Sequence, residues 1–215
     1  MVTKAEQSDT TRRALVAAAR SLFAEHGFAD TPTEAVVQTA GVTRGALYHH
    51  FRDKAALFQA VYEELEQELV AKVEAGVDGL RDPLTVLRRG SEAFLDACLD
   101  PAFMRVVLLE GPTVLGWEKW REIDQSYGLG MVKATLEMAS AAGSIRRGLS
   151  VEPLAHVLLG GLMEGSLYLA NAEDKDAGRE QVGKAIGALI DGLAAKPKPA
   201  GATKKRPAGG PARRR

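Results

Sequence analysis

Apolar residues recur at helical intervals along most of the chain. Leu15, Ala18, Ala19, Leu22, Phe23 and His26 share one face, which predicts a helix over 9–26 that Gly27 stops. Leu57, Phe58, Val61, Leu65, Leu69 and Val73 form a second stripe. It predicts a long helix from Lys54 to Gly76 or Gly79. The acidic run Glu63, Glu64, Glu66 and Glu68 falls on its other faces and reads as solvated, although such a run can also gather a metal ion. Asp82-Pro83 and Asp100-Pro101 are helix starts, and Gly111-Pro112 is an end. Three further helices are expected over about 116–142, 150–172 and 176–195. Beyond the N-terminus no sustained β-branched alternation occurs, so the pattern predicts an all-α chain of about nine helices.

One stretch carries denser local signals. Thr31 is an N-cap candidate, Pro32 suits a first helical position, and Glu34 completes a T-x-x-E capping box. That helix is expected to run from Pro32 to Thr39 or Ala40. Gly41 can then turn the chain through the left-handed region. Thr43 caps a second helix, Arg44 to His50, and Asp53 caps a third from Lys54. Two short helices about a Gly-containing turn outline a helix-turn-helix. Val36, Ala40, Val42, Leu47 and Phe51 supply the apolar contacts, which leaves Arg44, Gly45, Tyr48 and His49 outward. A major groove admits one such helix. Lys54, a cation among free helix-start amides, suits a phosphate.

The run A-G-V-T-R-G-A-L-Y-H-H-F-R-D-K, Ala40 to Lys54, resembles the signature of the tetracycline-repressor (TetR) family of transcriptional regulators. The similarity reaches back through Phe28, Gly27, Phe23, Leu22, Ala19, Ala18 and Leu15 and forward to about Ala60. Thr33, where an aliphatic is common, and Val37, where Ala is common, depart from the pattern. The resemblance implies a double-stranded DNA partner met by Thr31, Thr33, Thr43, Arg44, Gly45, Tyr48, His49, His50 and Lys54. Arg44 is the candidate for a guanine edge; Tyr48 and Lys54 are candidates for phosphates. It also implies a division into a three-helix reading domain over 9–69, with its motif at 32–51, and a ligand-binding and dimerisation domain over 70–195.

Charge changes the picture at the C-terminus. The formal net charge is zero, but residues 196–215 carry eight Lys and Arg and no acid. Residues 1–195 therefore hold 20 cations against 28 acids, a balance of −8. Base contacts must come from a few placed side chains. The segment KPKPAGATKKRPAGGPARRR has no apolar periodicity and is expected to be disordered; a solubilising tail and a salt-sensitive DNA contact both fit it. Cys98 stands alone, which excludes an intramolecular disulfide and a cysteine-based zinc site. The polar start MVTKAEQSDTTRR is unlike a signal peptide, and the apolar window from Pro153 to Ala172 contains His156 and Glu164. A cytoplasmic protein with no membrane partner is expected.

Reading DNA needs only about 50 residues. The family resemblance implies that the remaining helices dimerise and hold a small-molecule effector. Leu158, Leu162, Leu169, Ile186, Leu189 and Leu193 offer apolar area for a twofold four-helix interface. Gly161 and Gly165 are among the glycines that permit close approach there. Such a homodimer would set two reading helices ~34 Å apart on a near-palindromic operator. For the effector, Phe94, Cys98, Phe103, Met104 and Leu108 are candidate lining residues. Trp117, Trp120, Tyr127, Met131, Met163 and Leu167 complete the set; core packing is the simpler reading of each alone, and an adaptable apolar cavity is what they would make together. Arg105, Glu110, His156 or Glu164 could orient a polar end of the ligand.

An enzyme is not indicated: H-E-x-x-H, G-x-S-x-G and G-K-[ST] are all missing, and no catalytic residue, metal site or cofactor is assigned. The rival to a sequence-specific regulator is an architectural DNA-binding protein that uses its basic tail without sequence choice.

Overall fold

Lys4–Asp30 forms the first helix, α1, in a computed structural model that describes residues 3–195. The expected tail, 196–215, lies outside the described residues. The helix starts earlier than position 9 because Thr3 and Glu6 make a capping box. Thr3 Oγ1 accepts from the Glu6 amide at 3.2 Å, and the Thr3 amide donates to Glu6 Oε2 at 2.6 Å. Residues in the first turns are largely exposed, so no apolar period announced them. Gly27, at φ 83° and ψ 171°, kinks the helix, and one further turn follows to Asp30.

Then come α2 (Thr33–Ala40), α3 (Arg44–His50), α4 (Lys54–Val77) and α5 (Pro83–Ala97). A π-helical segment, Phe103–Glu110, runs straight into α6 (Gly111–Leu115). The remaining helices are α7 (Trp117–Ser126), α8 (Gly128–Ala141), α9 (Val151–Ala170) and α10 (Lys175–Leu193). The described residues contain no strand, only an isolated bridge between Ile145 and Ala194. The fold is all-α as expected, with more helices than nine for two reasons. Gly111-Pro112 does not end a helix: Gly111 keeps helical angles, and Pro112 occupies the first turn of α6, where its missing amide costs little. The helix expected over 116–142 breaks at Tyr127, at φ −118° and ψ −97°. Close packing at that joint needs Gly130, since a Cβ there would lie 2.4 Å from the Gln125 carbonyl oxygen.

Two apolar clusters hold the chain together. The first joins α1, α2 and α3 to α4, the π segment and α7 through Leu15, Phe23, Val36, Leu47, Phe58 and Val106. Phe23, Phe28 and Phe58 meet at its centre, with ring centroids 5.3–5.9 Å apart. The second joins α5, α8, α9 and α10 through Leu95, Leu136, Leu158, Leu162, Ile186 and Ile190. Helix α4 passes residue 69 without a break and ends only at Val77, so the expected boundary at 69/70 falls inside a helix. Glu66 is not solvated as expected. It is buried on the same stripe as Tyr62, Leu65, Leu69 and Val73.

Candidate nucleic-acid interface and effector cavity

The turn between α2 and α3 is built by local chemistry. Gly41 sits in the left-handed region at φ 66° and ψ 30°. Its amide donates to the Gln38 carbonyl at 3.2 Å, and the Val42 amide donates to Val37 at 3.0 Å, the paired bonds of a Schellman ending. Thr43 then caps α3, its Oγ1 accepting from the Ala46 amide at 3.2 Å. Leu47 is fully buried and Phe51 nearly so, which fixes the rotation of α3. Arg44, Gly45, Tyr48 and His49 consequently face solvent, and His50 is half-buried against Phe51. Arg44 reaches Glu34 Oε1 at 2.9 Å, and its guanidinium lies 5.6 Å from the Tyr48 ring centroid. Thr33 Oγ1 donates to Glu34 Oε2 at 3.2 Å on the same surface. Beside Gly45 the nearest atom to an added Cβ would be Thr43 Oγ1 at 3.8 Å, so an approaching backbone meets no obstruction there.

Two expected contacts have other duties. Thr31 is fully buried and does not cap α2, whose N-cap is Pro32. Its hydroxyl donates to the Gly27 carbonyl at 2.7 Å, with the Leu22 carbonyl at 3.2 Å, and so ties the turn that follows the Gly27 kink back to the body of α1. Lys54 Nζ donates to the carbonyls of Phe28 (2.6 Å), Ala29 (3.3 Å) and Thr31 (3.0 Å) and sits 4.4 Å from the Phe28 ring centroid. Its ammonium closes the C-terminal end of α1 rather than standing free for a phosphate.

The residues expected to line an effector pocket are placed differently from the expectation. A cavity of about 270 Å³ opens between α4, α5, α8 and α9. Helix α4 contributes Leu69, Val73, Glu74 and Val77, and α5 contributes Val86, Leu87, Gly90, Ser91 and Phe94. Met131, Val132 and Thr135 of α8 and Leu159 and Leu162 of α9 complete its main walls. Of the eleven expected lining residues only Phe94 and Met131 are there. Phe103, Trp120 and Cys98 are buried in the first cluster, and burial pushes the Cys98 thiol up to about 12. Met104 borders a separate hollow beside Cys98 and Leu169. Leu108, Met163 and Leu167 are half-buried away from the cavity, and Tyr127 hinges α7 to α8. Trp117 is 63% exposed. Large, soft side chains are what marks a pocket in a sequence; apart from Phe94 and Met131 this cavity is walled mostly by Val, Leu and Gly, which carry no distinguishing signal.

Arg105 and Glu110 do not face the cavity. Both grip the end of α1: Arg105 donates to the carbonyls of Ala24 (3.3 Å) and Glu25 (2.8 Å), and Glu110 accepts from the Phe28 amide at 2.8 Å. Glu164 is exposed, and His156, also exposed, lies 3.6 Å from Glu152.

The expected dimer surface needs the same correction. Leu158, Leu162, Leu169 and Ile186 are buried within one chain, because α9 and α10 pack on each other and on α5 and α8. Leu193 is half-buried in the second cluster. An added Cβ at Gly165 would lie 2.6 Å from Val182 Cγ1, and one at Gly161 3.9 Å from Ile186 Cδ1, so these glycines serve contacts inside the chain. Only Leu189, at 58% exposure, remains available, accompanied by Val157 at 72% and Tyr168 at 58%.

The arrangement is that of a reading head carried on a helical body, and comparison with known proteins identifies it. Residues 15–61 match the family model for bacterial regulatory proteins of the tetR family, and residues 84–193 match that for the tetracyclin repressor-like C-terminal domain. The chain belongs to the TetR family of DNA-binding transcriptional regulators. It is 32% identical to a TetR-family transcriptional regulator from Pectobacterium atrosepticum. That alignment covers 91% of this chain and all of the other, with a TM-score of 0.72. The transposon Tn10 TetC protein of Escherichia coli is 26% identical over 79% of this chain and 85% of its own length. The HTH-type transcriptional regulator AcrR of Shigella flexneri is 42% identical over 86 residues, 39% of either chain. Among the described residues no helix is long and apolar enough to cross a membrane, and no group of His, Cys, Asp and Glu could hold a metal.

Proposed function

We propose that the protein is a cytoplasmic homodimeric repressor that binds a near-palindromic operator and is released by a small, mostly apolar effector. One observation carries this reading: α4 begins beside the reading helix, where Lys54 clamps the head, and ends at the cavity, where Leu69, Val73, Glu74 and Val77 form a wall. A ligand that wedges this wall tilts the same rigid helix that positions the head. Linkage then requires that effector and DNA weaken each other's binding by one common factor, typically ~1–3 kcal/mol. In this reading Arg44 contacts a base edge. Thr33, Thr43, Gly45, Tyr48, His49 and His50 surround it at the backbone and groove wall. The exposed face of α9 and α10 around Val157, Tyr168 and Leu189 meets its twofold mate.

The test is a footprint of the purified protein on DNA flanking its own gene, in competition with random duplex at physiological salt. A protected near-palindrome bound ~10³-fold or more above random DNA supports the reading. Equal affinity for both would replace it with architectural binding. Sedimentation showing only monomer at micromolar concentration would remove the two-headed arrangement.

A further inference from the structure

The polar side chains around the cavity all have the same sense. Its walls hold no Lys, Arg, His, Asn, Gln, Tyr or Trp among the described residues. The two hydroxyls present are turned into their own helices. Ser91 Oγ donates to the Leu87 carbonyl at 2.9 Å, and Thr135 Oγ1 donates to the Met131 carbonyl at 2.9 Å. Their protons are committed, so each offers a ligand only lone pairs. The one helix start at the wall among the described residues, that of α8 at Gly128, has a carboxylate beside it: Asp124 Oδ1 lies 3.4 Å from the position of a Cβ on Gly128. The only charged lining residue is Glu74, which is exposed at the cavity's edge on α4 and has no ion-pair partner among the described residues. An apolar chamber whose polar side chains are all acceptors, one of them anionic, selects against carboxylates and phosphates. Either would enter with no side-chain donor to meet it, a carboxylate already beside the one helix start, and a like charge at the mouth.

We propose that the cavity takes an amphiphilic organic cation, an apolar body ending in a protonated amine or similar donor group that meets Glu74. This rests on the reading of the cavity as the effector site. A volume of about 270 Å³ is larger than the ~150 Å³ that holds one benzene. The body therefore has the bulk of one or two rings. Binding neutralises a carboxylate on the last turns of α4, so both the wedge and the charge act on the helix that carries the reading head.

The experiment is calorimetry of the intact protein with three isosteric probes at pH 7: 4-phenylbutylamine, 4-phenylbutanol and 4-phenylbutanoate. The expected order is amine, alcohol, carboxylate, with about tenfold between the first and last, the scale of one partly exposed charge pair gained against one repulsion. Glu74→Gln, a surface change that the fold accommodates, brings the amine to within about twofold of the alcohol. Val132→Phe, which fills the chamber, weakens all three. A carboxylate that binds as well as the amine, or an order that survives Glu74→Gln, overturns the charge assignment while leaving the cavity intact. If no probe binds, or Val132→Phe changes nothing, the cavity is not the effector site and the proposal falls with that reading.

Discussion

Glu110 accepts a hydrogen bond from the backbone amide of Phe28 at 2.8 Å, across 82 residues of sequence. Its second oxygen lies 2.5 Å from the position of a Cβ on Gly27. The kink at Gly27 frees the Phe28 amide from the α1 ladder, and a carboxylate from the π segment takes it up. Arg105, one turn earlier on the same segment, caps the carbonyls of Ala24 and Glu25. An eight-residue π segment is rare, and here its two charged side chains both reach the same helix end. The body thus holds the head by charged groups on exposed main chain, in addition to the shared apolar cluster.

Gly27→Ala should therefore be costly. It places a side chain at φ 83° and against Glu110 at once. Urea unfolding is expected to show a loss of about 2–4 kcal/mol. Adding Glu110→Ala should relieve the collision but not the backbone strain, and it deletes the bond to Phe28. The double variant should stay well below the parent. Recovery to parental stability would show that the glycine conformation is not needed.

Lys54 gives a prediction with a sharp alternative. Its ammonium serves the carbonyls of Phe28, Ala29 and Thr31, so Lys54→Ala is expected to cost about 1–3 kcal/mol of stability. The salt dependence of operator binding should keep its slope. A slope reduced by about one unit would instead identify Lys54 as a phosphate ligand that leaves its carbonyls on DNA.

Arg44 and Glu34 form an exposed pair at 2.9 Å on the proposed reading surface. To reach a base, Arg44 must leave Glu34, a partner worth little in water. Arg44→Ala should cost about 1–3 kcal/mol on the preferred operator and relax selectivity at one base pair per half-site, read by binding to a randomised library. Glu34→Gln should strengthen binding to all sequences alike, since it removes a negative charge from the DNA-facing side. A uniform loss across the library on Arg44→Ala would reassign the arginine to the phosphates.

How far the sequence discloses these features depends on how local their chemistry is. Gly41, Thr43 and Asp53 act within a few residues, and the structure has each in its expected place. Thr31 is different: T-x-x-E describes a cap, but its hydroxyl is spent on the Gly27 carbonyl across the kink, and α2 starts one residue later with Pro32 as its N-cap. Helix faces were legible, their partners were not. The leucines of α9 read as an interface, and they are one, but with α10, α5 and α8 of the same chain. The cavity between α4, α5, α8 and α9 was hidden because a void is a property of packing, not of the residues around it. Glu66 was hidden by its neighbours. In a run of four glutamates only its spacing from Tyr62, Leu69 and Val73 marks it as inward.

That buried glutamate makes stability depend on pH in a predictable direction. Glu66 sits on α4 beside Tyr62, which also meets Trp120 of α7, and the charges of Glu66, Asp124 of α7 and Cys98 act on one another; Arg121 pairs with Asp124 at 2.8 Å, and His156 acts on Asp124 from α9. Burial first, and the nearby Asp124 second, push its pKa from 4.5 up to about 7, while the hydrogen bond with Tyr62 pulls the other way. The folded state therefore holds this proton more tightly than the unfolded chain. The resulting stabilisation is complete below about pH 4.5 and is lost as pH rises toward 7. Glu66→Gln keeps the shape and removes the titration, so its Tm relative to the parent should climb across that window and level off above it. The gain in the alkaline limit is at most ~3 kcal/mol, and an amide that packs less well than the protonated acid would lower the whole curve without changing its slope. A difference between the two proteins that stays flat from pH 5 to pH 8 would mean that Glu66 is ionised throughout, with Arg121 or solvent reaching it in place of the apolar wall between α4 and α7.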